Sequence, residues 1–592
     1  MATHLTSNDK PTRIRHLVIG STSLMAVLLY LDRFCISFVE MYIQEDLGLT
    51  NRQVGWMLSA FFWTYALGQV PSGWLTDLFG SRKMLTLYVL AWSLFTGLTG
   101  AVSSFVAVLV LRLGFGFGQA GAYPTASSIV SKWIPFSKRG TASGVIALGG
   151  RFGGFLALFA SGYLLVALTP VDTRTTLTPD EILNGPLLCQ ELNRSSQSTE
   201  PVDELRQRCL ETFSTFSRNI VIRHAEKYAD AMDNARQQLE LAGSNPDEAV
   251  PELTVIPVSE AEIVANELNT IILSPGFFEL DDLNGKGISV EKEARRLLNL
   301  SGDISDLQSQ RVNRLVLEAL HRRSIKKIYG NGWRRMMFLY GSLGIFVAGL
   351  IWWNCRTTPA EHPRCNDAEA ALIADSAVID PGRKSSGVPL RGLVSSGSMW
   401  CACVTQFFTN IGWVFLLTWA PRYYTSVHLV SVEQRALFVS IPPLLGWAGM
   451  LAGGVLTDTA VRYLGLRWGR ALPISLSRFV AMGAYIVCLF DPGVTLCVIL
   501  FSTVAFATAL GNPASWAFTQ DVGGQHVGSV LGWGNMWGNL GAAIAPPIVI
   551  WLVGGADNWN NAFIACGAAF FAAGISALGI NAAKPIKSAA TD

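Results

Sequence analysis

Twelve apolar runs of membrane-spanning length recur along the chain, and they constrain its fold more than any other feature. They lie at 16–38, 52–73, 84–102, 104–126, 141–168, 333–354, 396–420, 434–457, 470–490, 493–516, 526–553 and 559–581. An α-helix rises about 1.5 Å per residue, so about 20 residues cross a hydrocarbon core about 30 Å thick. The pattern predicts an all-α membrane protein of twelve transmembrane helices in two six-helix halves.

The composition fits a chain that lives in a lipid bilayer. Half of the residues are hydrophobic and only 15% are charged, which is typical of membrane proteins rather than soluble ones. The net charge of +2 gives no reason to expect nucleic acid as a partner. The polar start leads into an apolar run that is too long for the core of a signal peptide, so we expect no cleavable signal.

Basic residues predict the orientation, because cytoplasmic loops are enriched in Lys and Arg. If the helices alternate, the basic loops fall on the side of the two termini, and both termini are expected to be cytoplasmic. The predicted units are helices 1–5 (1–168), an extracytoplasmic insertion (169–332), helix 6 (333–354), a cytoplasmic inter-half loop (355–395) and helices 7–12 with a cytoplasmic tail (396–592).

The insertion at 169–332 departs from the regular plan. It is polar, with helical periodicity at 202–241, 259–273 and 289–327, and we expect a small helical ectodomain rather than a disordered loop. One predicted apolar stripe runs through Leu205, Cys209, Phe213 and Phe216. Cys189 and Cys209 are its only cysteines and would lie on the oxidising side, so they are candidates for a disulfide.

A short polar segment joins the second and third runs, and it carries a recognisable motif. It reads Gly73-Trp74-Leu75-Thr76-Asp77-Leu78-Phe79-Gly80-Ser81-Arg82-Lys83. The string resembles the loop signature of the major facilitator superfamily, G-x-L-x-D-x-x-G-x-R-K, and a weaker echo at Gly454–Asp458 recurs in the second half. We expect Gly73, Asp77, Gly80, Arg82 and Asp458 to serve in gating.

Charged residues inside apolar runs need a reason, since each costs about 2.5–3.5 kcal/mol on insertion scales. Helix 1 contains Asp32 and Arg33, helix 4 contains Arg112 and helix 5 contains Arg151. One acid cannot neutralise three arginines. Packing ion pairs or side chains reaching the membrane surface are one interpretation. The other is a positive cavity for an anion, because a guanidinium fork suits a carboxylate.

Further motifs resemble those of the anion:cation symporter family. They are Tyr30-x-Asp32-Arg33, Phe61-Phe62-Trp63-Thr64-Tyr65-x-x-x-Gln69-x-Pro71, Trp133-x-Pro135-x-x-Lys138-Arg139-Gly140, Gly332-Trp333-Arg334, Thr358-Pro359-x-Glu361-His362-Pro363 and Asn535-x-x-Gly538-Asn539-x-Gly541. This family includes bacterial transporters of sugar acids and the animal sialin and vesicular glutamate carriers. The resemblance implies an alternating-access transporter of a small organic anion, with the substrate site between the two halves.

The resemblance also implies roles for individual residues. Substrate contacts are expected from the first half (Arg33, Tyr65, Gln69, Arg112, Arg151) and from the second half (Ser515, Trp516, Asn535). For the second-half residues, hydrogen bonding within helix packing is an equal alternative.

One position departs from the family pattern and bears on coupling. Family members carry a glutamate seven residues after the helix 4 arginine, whereas this chain has Gln119, which cannot titrate. Asp32 is then the obvious intramembrane proton acceptor. Proton symport is the expectation from the family, and facilitated diffusion, anion exchange or another coupling ion remain open.

Other classes of function fit the sequence less well. A membrane sensor would use the insertion to bind its ligand, and an exporter of amphipathic drugs would favour acidic and aromatic cavity residues. We find no nucleophile–base grouping, phosphate-binding loop or metal cluster in the sequence, so we expect no enzyme, cofactor or metal. The expected protein is a monomer in a bacterial inner membrane.

Overall fold

The computed structural model describes residues 10–135, 139–193, 201–241, 256–283, 288, 290–300, 304–374, 390–523, 527–554, 558–584 and 586. The described chain is helical and contains no strand; one isolated bridge joins Ile182 and Ile325. The first half comprises α1 (Ile14–Leu47), α2 (Asn51–Phe79), α3 (Ser81–Thr99), α4 (Phe105–Ala120), α5 (Ala122–Trp133), α6 (Arg139–Ala167) and, after the insertion, α14 (Trp333–Asn354).

Seven α-helices lie between α6 and α14 in the described residues of the insertion. They are α7 (Gly185–Asn193), α8 (Pro201–Glu211), α9 (Thr215–Leu241), α10 (Val258–Leu273), α11 (Leu280–Leu283), α12 (Lys292–Leu298) and α13 (Asp306–Leu320). The inter-half loop carries α15 (Asp367–Ala374) and α16 (Leu390–Ser395). The second half comprises α17 (Gly397–Thr418), α18 (Ala420–Ser426), α19 (Val432–Val487), α20 (Val494–Gly523), α21 (Val527–Val553) and α22 (Trp559–Leu578).

The apolar runs become the long helices of the two halves. Nine helical stretches among the described residues are long and apolar enough to cross a membrane, judged by length and composition. One of them, Val432–Phe490, has 59 residues. At about 1.5 Å per residue it is long enough to cross twice. The nine do not include α2 and α3.

Each half is a bundle of its own, and the halves meet along two helix pairs. In the first half α1 packs on α6 and α14, α3 on α14, and α2 on α4. In the second half α19 packs on α20 and α22, and α17 on α21 and α22. Across the junction α2 packs on α21 and α6 packs on α19. Helix α1 also contacts α17 and α18, so the junction lies between α1, α2 and α6 of the first half and α17, α18, α19 and α21 of the second.

Two predicted helix ends were wrong. The predicted helix at 52–73 continues to Phe79, and only Gly80 breaks it, with φ 86° and ψ 148°. In the second half the predicted loop after 457 is helical, and the break comes at Gly465, with φ 73° and ψ 173°. Glycine adopts positive φ without a Cβ penalty, so each helix pair is joined at a single residue and not by a longer hinge.

The insertion has an apolar core that is continuous with the transmembrane bundle. Leu205, Cys209 and Phe213 are buried in a cluster that also contains residues of α1 and α19. Phe216, predicted to share that stripe, is 67% exposed. The predicted disulfide was wrong as well: Cys189 and Cys209 are buried free thiols. Each fills core space as a small apolar side chain.

We call the end of the bundle beside the insertion the insertion end, and the end that carries Gly80 the loop end. At the loop end, the inter-half loop is anchored to the first half. The Glu369 carboxylate accepts hydrogen bonds from the Ile14 N–H (2.9 Å) and the Thr12 hydroxyl (2.6 Å), and pairs with Arg15 (3.1 Å). The side chain of Glu369 thus caps the amino terminus of α1, where Arg13 provides no side-chain cap.

Candidate functional site

A cavity lies between the halves, and two of the predicted arginines line it. The space around these side chains is about 200 Å³ when the part open to the surroundings is counted. Its lining comes from α1, α2 and α4 of the first half and from α17 of the second: Arg33, Phe34, Ser37, Leu58, Phe61, Phe62, Arg112 and Thr418. The predicted grouping of Arg33 with Arg112 is therefore present in the structure.

Arg33 is held in place by aromatic rings and one amide. Its guanidinium carbon lies 4.7 Å from the centroid of the Phe61 ring and 4.5 Å from that of Tyr65. Its Nε donates to Gln119 Oε1 at 3.1 Å, while Nη2 has no hydrogen-bond partner. Arg33 is only 8% exposed, so this free N–H group is a buried donor that lacks an acceptor.

Arg112 is buried with even fewer partners. Its guanidinium carbon lies 4.8 Å from the Phe115 centroid and 5.5 Å from the Phe61 centroid. Its Nε has no hydrogen-bond partner. In the described part of the chain, neither Arg112 nor Arg33 forms an ion pair with an acid. The interpretation of these arginines as members of packing ion pairs is therefore wrong.

Asp32 does not pair with the arginine beside it. Its Oδ2 accepts a hydrogen bond from the Trp92 indole at 3.1 Å, and its Oδ1 accepts none. Asp32 is 1% exposed. The structure thus places the acid against α3 and the arginine against α4. A buried carboxylate with one neutral donor is poorly stabilised as an anion compared with an ion-paired one.

The other first-half candidates lie around this cavity. Tyr65 is buried under Arg33, and Gln69 follows one turn later and is half-buried. Arg151 is half-buried on α6, with its guanidinium carbon 5.5 Å from the Trp413 centroid on α17. Arg151 does not line the cavity that Arg33 and Arg112 share. It reaches across the junction to the second half.

The second-half candidates lie apart from that cavity. Ser515 lines a separate space of about 320 Å³ between α17, α20 and α21, together with Thr405 and Gln406. Trp516 is 42% exposed, and Asn535 is exposed as well. The structure therefore does not bring Ser515, Trp516 and Asn535 together with Arg33 and Arg112.

Sequence reasoning missed another buried arginine inside an apolar run. Arg478 on α19 is 2% exposed and donates to the Thr409 hydroxyl at 2.9 Å and the Thr508 carbonyl at 2.9 Å. It lies in the apolar run at 470–490, so the rule that singled out Arg112 also applies to it. Its hydrogen bonds stay within the second half, which indicates a role in holding α17, α19 and α20 together.

Polar contacts join the two halves at the insertion end. Arg422 follows α17 and donates to Gln44 Oε1 at 2.8 Å and Asn51 Oδ1 at 2.9 Å, and it lies 3.6 Å from the Glu40 carboxylate. Arg435 of α19 donates to the Tyr42 hydroxyl at 3.3 Å. These contacts link the two halves at this end of the bundle.

The insertion touches both halves at the same end. Lys326 pairs with Asp46 at the end of α1 (3.0 Å), and Arg334 of α14 pairs with the same carboxylate at 2.8 Å. On the other side, Glu291 Oε2 accepts from the Val432 N–H at 2.9 Å, and Arg322 donates to the Leu429 carbonyl. The insertion therefore bridges α1 and the start of α19.

The predicted gating residues lie at the loop end. Arg82 stacks on Trp352 with 3.9 Å between guanidinium carbon and centroid, and its Nε donates to the Trp352 carbonyl at 3.0 Å. A Cβ at Gly73 would lie 3.8 Å from Pro124, which is ordinary contact, and one at Gly80 would lie 2.9 Å from the Thr357 hydroxyl. Asp458 is exposed. The side chain of Asp77 lies outside the described residues.

Two helical bundles with a basic cavity between them are the architecture of a membrane transport protein. A match of the sequence to a known family gives the same class. The profile described as Major Facilitator Superfamily matches residues 22–172 and 328–546, which leaves out most of the insertion. The chain belongs to this superfamily. It is a multi-pass membrane transporter and not an enzyme.

Curated relatives and a solved structure support this assignment. The probable galactarate/D-glucarate transporter GarP of Escherichia coli K12 is 24% identical over 94% of this chain and 93% of its own length. The D-galactonate transporter of Escherichia coli O6:H1 is 34% identical over 24% of this chain and 33% of its own. A bacterial homolog of the human lysosomal transporter Spinster, solved inward-facing and occupied, has the same fold (TM-score 0.55, 16% identity, 96% of both chains).

Proposed function

We propose that this protein carries a small organic anion, a sugar acid or another carboxylate, across the membrane by alternating access. One observation carries the proposal: Arg33 and Arg112 line one buried cavity between the halves, each with an unpartnered N–H group and neither paired with an acid. Burying a guanidinium without a counter-ion costs free energy, so the site is suited to an anion that binds and is then released. The relatives named for galactarate, D-glucarate and D-galactonate support this chemistry.

The transport cycle would alternate access between the two ends of the bundle. The contacts of Arg422, Arg435 and the insertion link the halves at the insertion end, and they would break when that end opens. Twelve membrane crossings would come from the nine apolar stretches, a second crossing within α19, and α2 and α3. In the proposed orientation the loop end and both termini are cytoplasmic and the insertion is outside a bacterial inner membrane, and the excess of Lys and Arg in the loops on the side of the termini supports this orientation.

Proton symport remains the favoured coupling, with Asp32 as the carrier. Supporting it, Asp32 is buried beside the cavity wall with one unsatisfied oxygen, as a group that exchanges a proton would be. Facilitated diffusion or anion exchange is the second candidate, favoured by the neutral amide of Gln119. Accumulation driven by an inward proton gradient in liposomes, with no exchangeable anion inside, separates the two, because only proton symport can use that gradient to concentrate the anion.

The experiment that tests the function is uptake of radiolabelled galactarate and D-galactonate into proteoliposomes. Arg33→Ala and Arg112→Ala should each abolish uptake at normal expression, because the anion loses a buried guanidinium partner. Arg151→Ala tests the remaining arginine, which lies on α6 of the same half and faces Trp413 of the second half. Arg462→Ala, at an exposed position on α19, is the control and should transport normally. Unchanged uptake in both Arg33→Ala and Arg112→Ala contradicts the site.

A transporter-like sensor is the alternative that the insertion raises. Deleting residues 172–328 would not distinguish a transporter from a sensor. The insertion shares its core with α1 and α19, so the deletion would expose apolar surface on these helices. Uptake by the intact chain discriminates better. A protein that binds a sugar acid but moves none across the membrane, in either direction, is a sensor.

A further inference from the structure

We propose that Gln119 sets the charge of the substrate site, leaving both cavity guanidinium groups without a counter-charge so that the site selects anions with two acidic groups over those with one. This inference rests on the proposed function and deepens it. Relatives named for a diacid and for a monoacid both occur, so the charge of the ligand has to be argued from the site itself.

The side chain of Gln119 makes two hydrogen bonds of opposite sense. Its amide oxygen accepts from Arg33 Nε at 3.1 Å, and its amide nitrogen donates to the Leu29 carbonyl at 2.8 Å. Gln119 is fully buried. A carboxyl group at this position would need its proton to make the second bond. Gln119 is therefore the permanently neutral equivalent of a protonated acid, and it positions Arg33 without cancelling the charge of Arg33.

No other described acid cancels the charge of either arginine. Asp32, the nearest acid in the sequence, is turned to Trp92 on α3 and forms no ion pair with Arg33 or Arg112. Both arginines line the same cavity, and each has a buried N–H group without a hydrogen-bond partner. The cavity therefore presents two positive charges and no negative one.

Two uncompensated charges in a buried space favour a doubly charged ligand. Attraction between charges is several times stronger at low effective dielectric than in water. A ligand with a single acidic group would leave one guanidinium buried without a counter-ion, which is the costly arrangement. A ligand with two acidic groups compensates both guanidinium groups.

The matched ligands are galactarate and D-galactonate, which share a six-carbon polyol skeleton and differ by one terminal carboxylate. Binding to purified protein is measured by isothermal titration calorimetry. The intact chain should bind galactarate at least about tenfold more tightly than D-galactonate. Gln119→Glu, measured at raised pH so that the new carboxyl is ionised, should lower this ratio by about tenfold or more.

A second variant keeps the test decisive if the carboxyl introduced by Gln119→Glu retains its proton. Arg112→Gln removes one positive charge by another route and should also lower the ratio by about tenfold. Gln520→Glu, the same chemical change at an exposed position on α20, should leave the ratio unchanged. Equal affinity for the two acids in the intact chain, or an unchanged ratio in both site variants, overturns the inference while the proposed function stands. Binding of neither acid overturns the proposed function.

Discussion

Glu291 of the insertion accepts a hydrogen bond from the backbone N–H of Val432, 2.9 Å away, and so caps the first turn of α19 in the second half. The insertion is attached to the first half through Lys326 and Asp46. The carboxyl oxygen of Glu291 thereby satisfies one of the free N–H groups at the amino terminus of the helix. The contact thus ties the two halves together across the insertion.

This contact should depend on pH. Burial raises the pKa of Glu291 from its usual 4.5 to about 7 and Glu433 adds to the rise, while the Val432 N–H, Lys327 and Arg435 oppose it. A carboxyl whose pKa is higher when docked contributes docking free energy that is present below about pH 4.5 and is lost as pH rises through 7. We expect the insertion to dock more tightly at about pH 5 than at about pH 8.

Spin labels at two exposed sites, Phe216 on α9 and Val427 after α18, measure the docking by pulsed dipolar spectroscopy. The distance distribution should broaden from about pH 5 to about pH 8. Glu291→Gln, which has no titrating carboxyl, should give the same distribution at both values. A pH-dependent distribution in Glu291→Gln would assign the effect to another group.

Trp92 should control how Asp32 takes part in transport, because its indole N–H is a donor to that carboxylate at 3.1 Å. Asp32→Asn should abolish the pH dependence of uptake if Asp32 carries the proton. Trp92→Phe keeps a large ring and removes the donor, so it should shift the pH at which uptake is half-maximal without abolishing binding. Proteoliposome uptake across a pH series checks both. A pH response that survives Asp32→Asn would assign the proton to another group.

The helix positions could be predicted from the sequence because an apolar run of membrane length admits one structure. The run predicted at 396–420 is α17 at Gly397–Thr418, and the one at 559–581 is α22 at Trp559–Leu578. The exact breaks could not be predicted. Asp77 and Asp458 indicated loops, yet the helices continue past them, because a polar residue at the membrane surface does not require the helix to end.

The partners of the site residues were beyond the sequence for a geometric reason. Successive residues on an α-helix point about 100° apart, so Asp32 and Arg33 face different neighbours although they are adjacent. Asp32 meets Trp92 on α3, and Arg33 meets Gln119 on α4. The presence of a basic cavity could be inferred from the excess of arginine. The docking of the insertion depends on tertiary contacts with Val432 and Asp46 that no local pattern encodes.

Gly116 should be intolerant of any side chain. A Cβ there would collide with the Phe61 carbonyl and the Thr64 hydroxyl on α2. Gly116→Ala should therefore push α4 from α2, lower the free energy of unfolding by about 1–3 kcal/mol, and weaken anion binding by moving Phe61 from under Arg33. Thermal unfolding in detergent and calorimetric binding measure the two effects. Gly144→Ala on α6, where no atom lies within 4 Å, is the matched control and should be neutral or slightly stabilising.

Arg422 should be the main polar tie between the halves at the insertion end. It donates to Gln44 and Asn51 and lies 3.6 Å from Glu40, whose two carboxylate oxygens accept no hydrogen bond. Removing one member of a buried pair costs about 3–5 kcal/mol, since it leaves the other charge uncompensated. The Arg422→Ala variant should therefore be less stable than the double variant Glu40→Gln/Arg422→Ala, in which no buried charge remains.

Thermal unfolding of Arg422→Ala, Glu40→Gln and the double variant gives the coupling free energy between the two residues. Arg462→Ala controls for the loss of a surface arginine. If the loss of unfolding free energy in the double variant equals the sum of the losses in the two single variants, Glu40 and Arg422 are not coupled. Other contacts then hold the halves together at the insertion end.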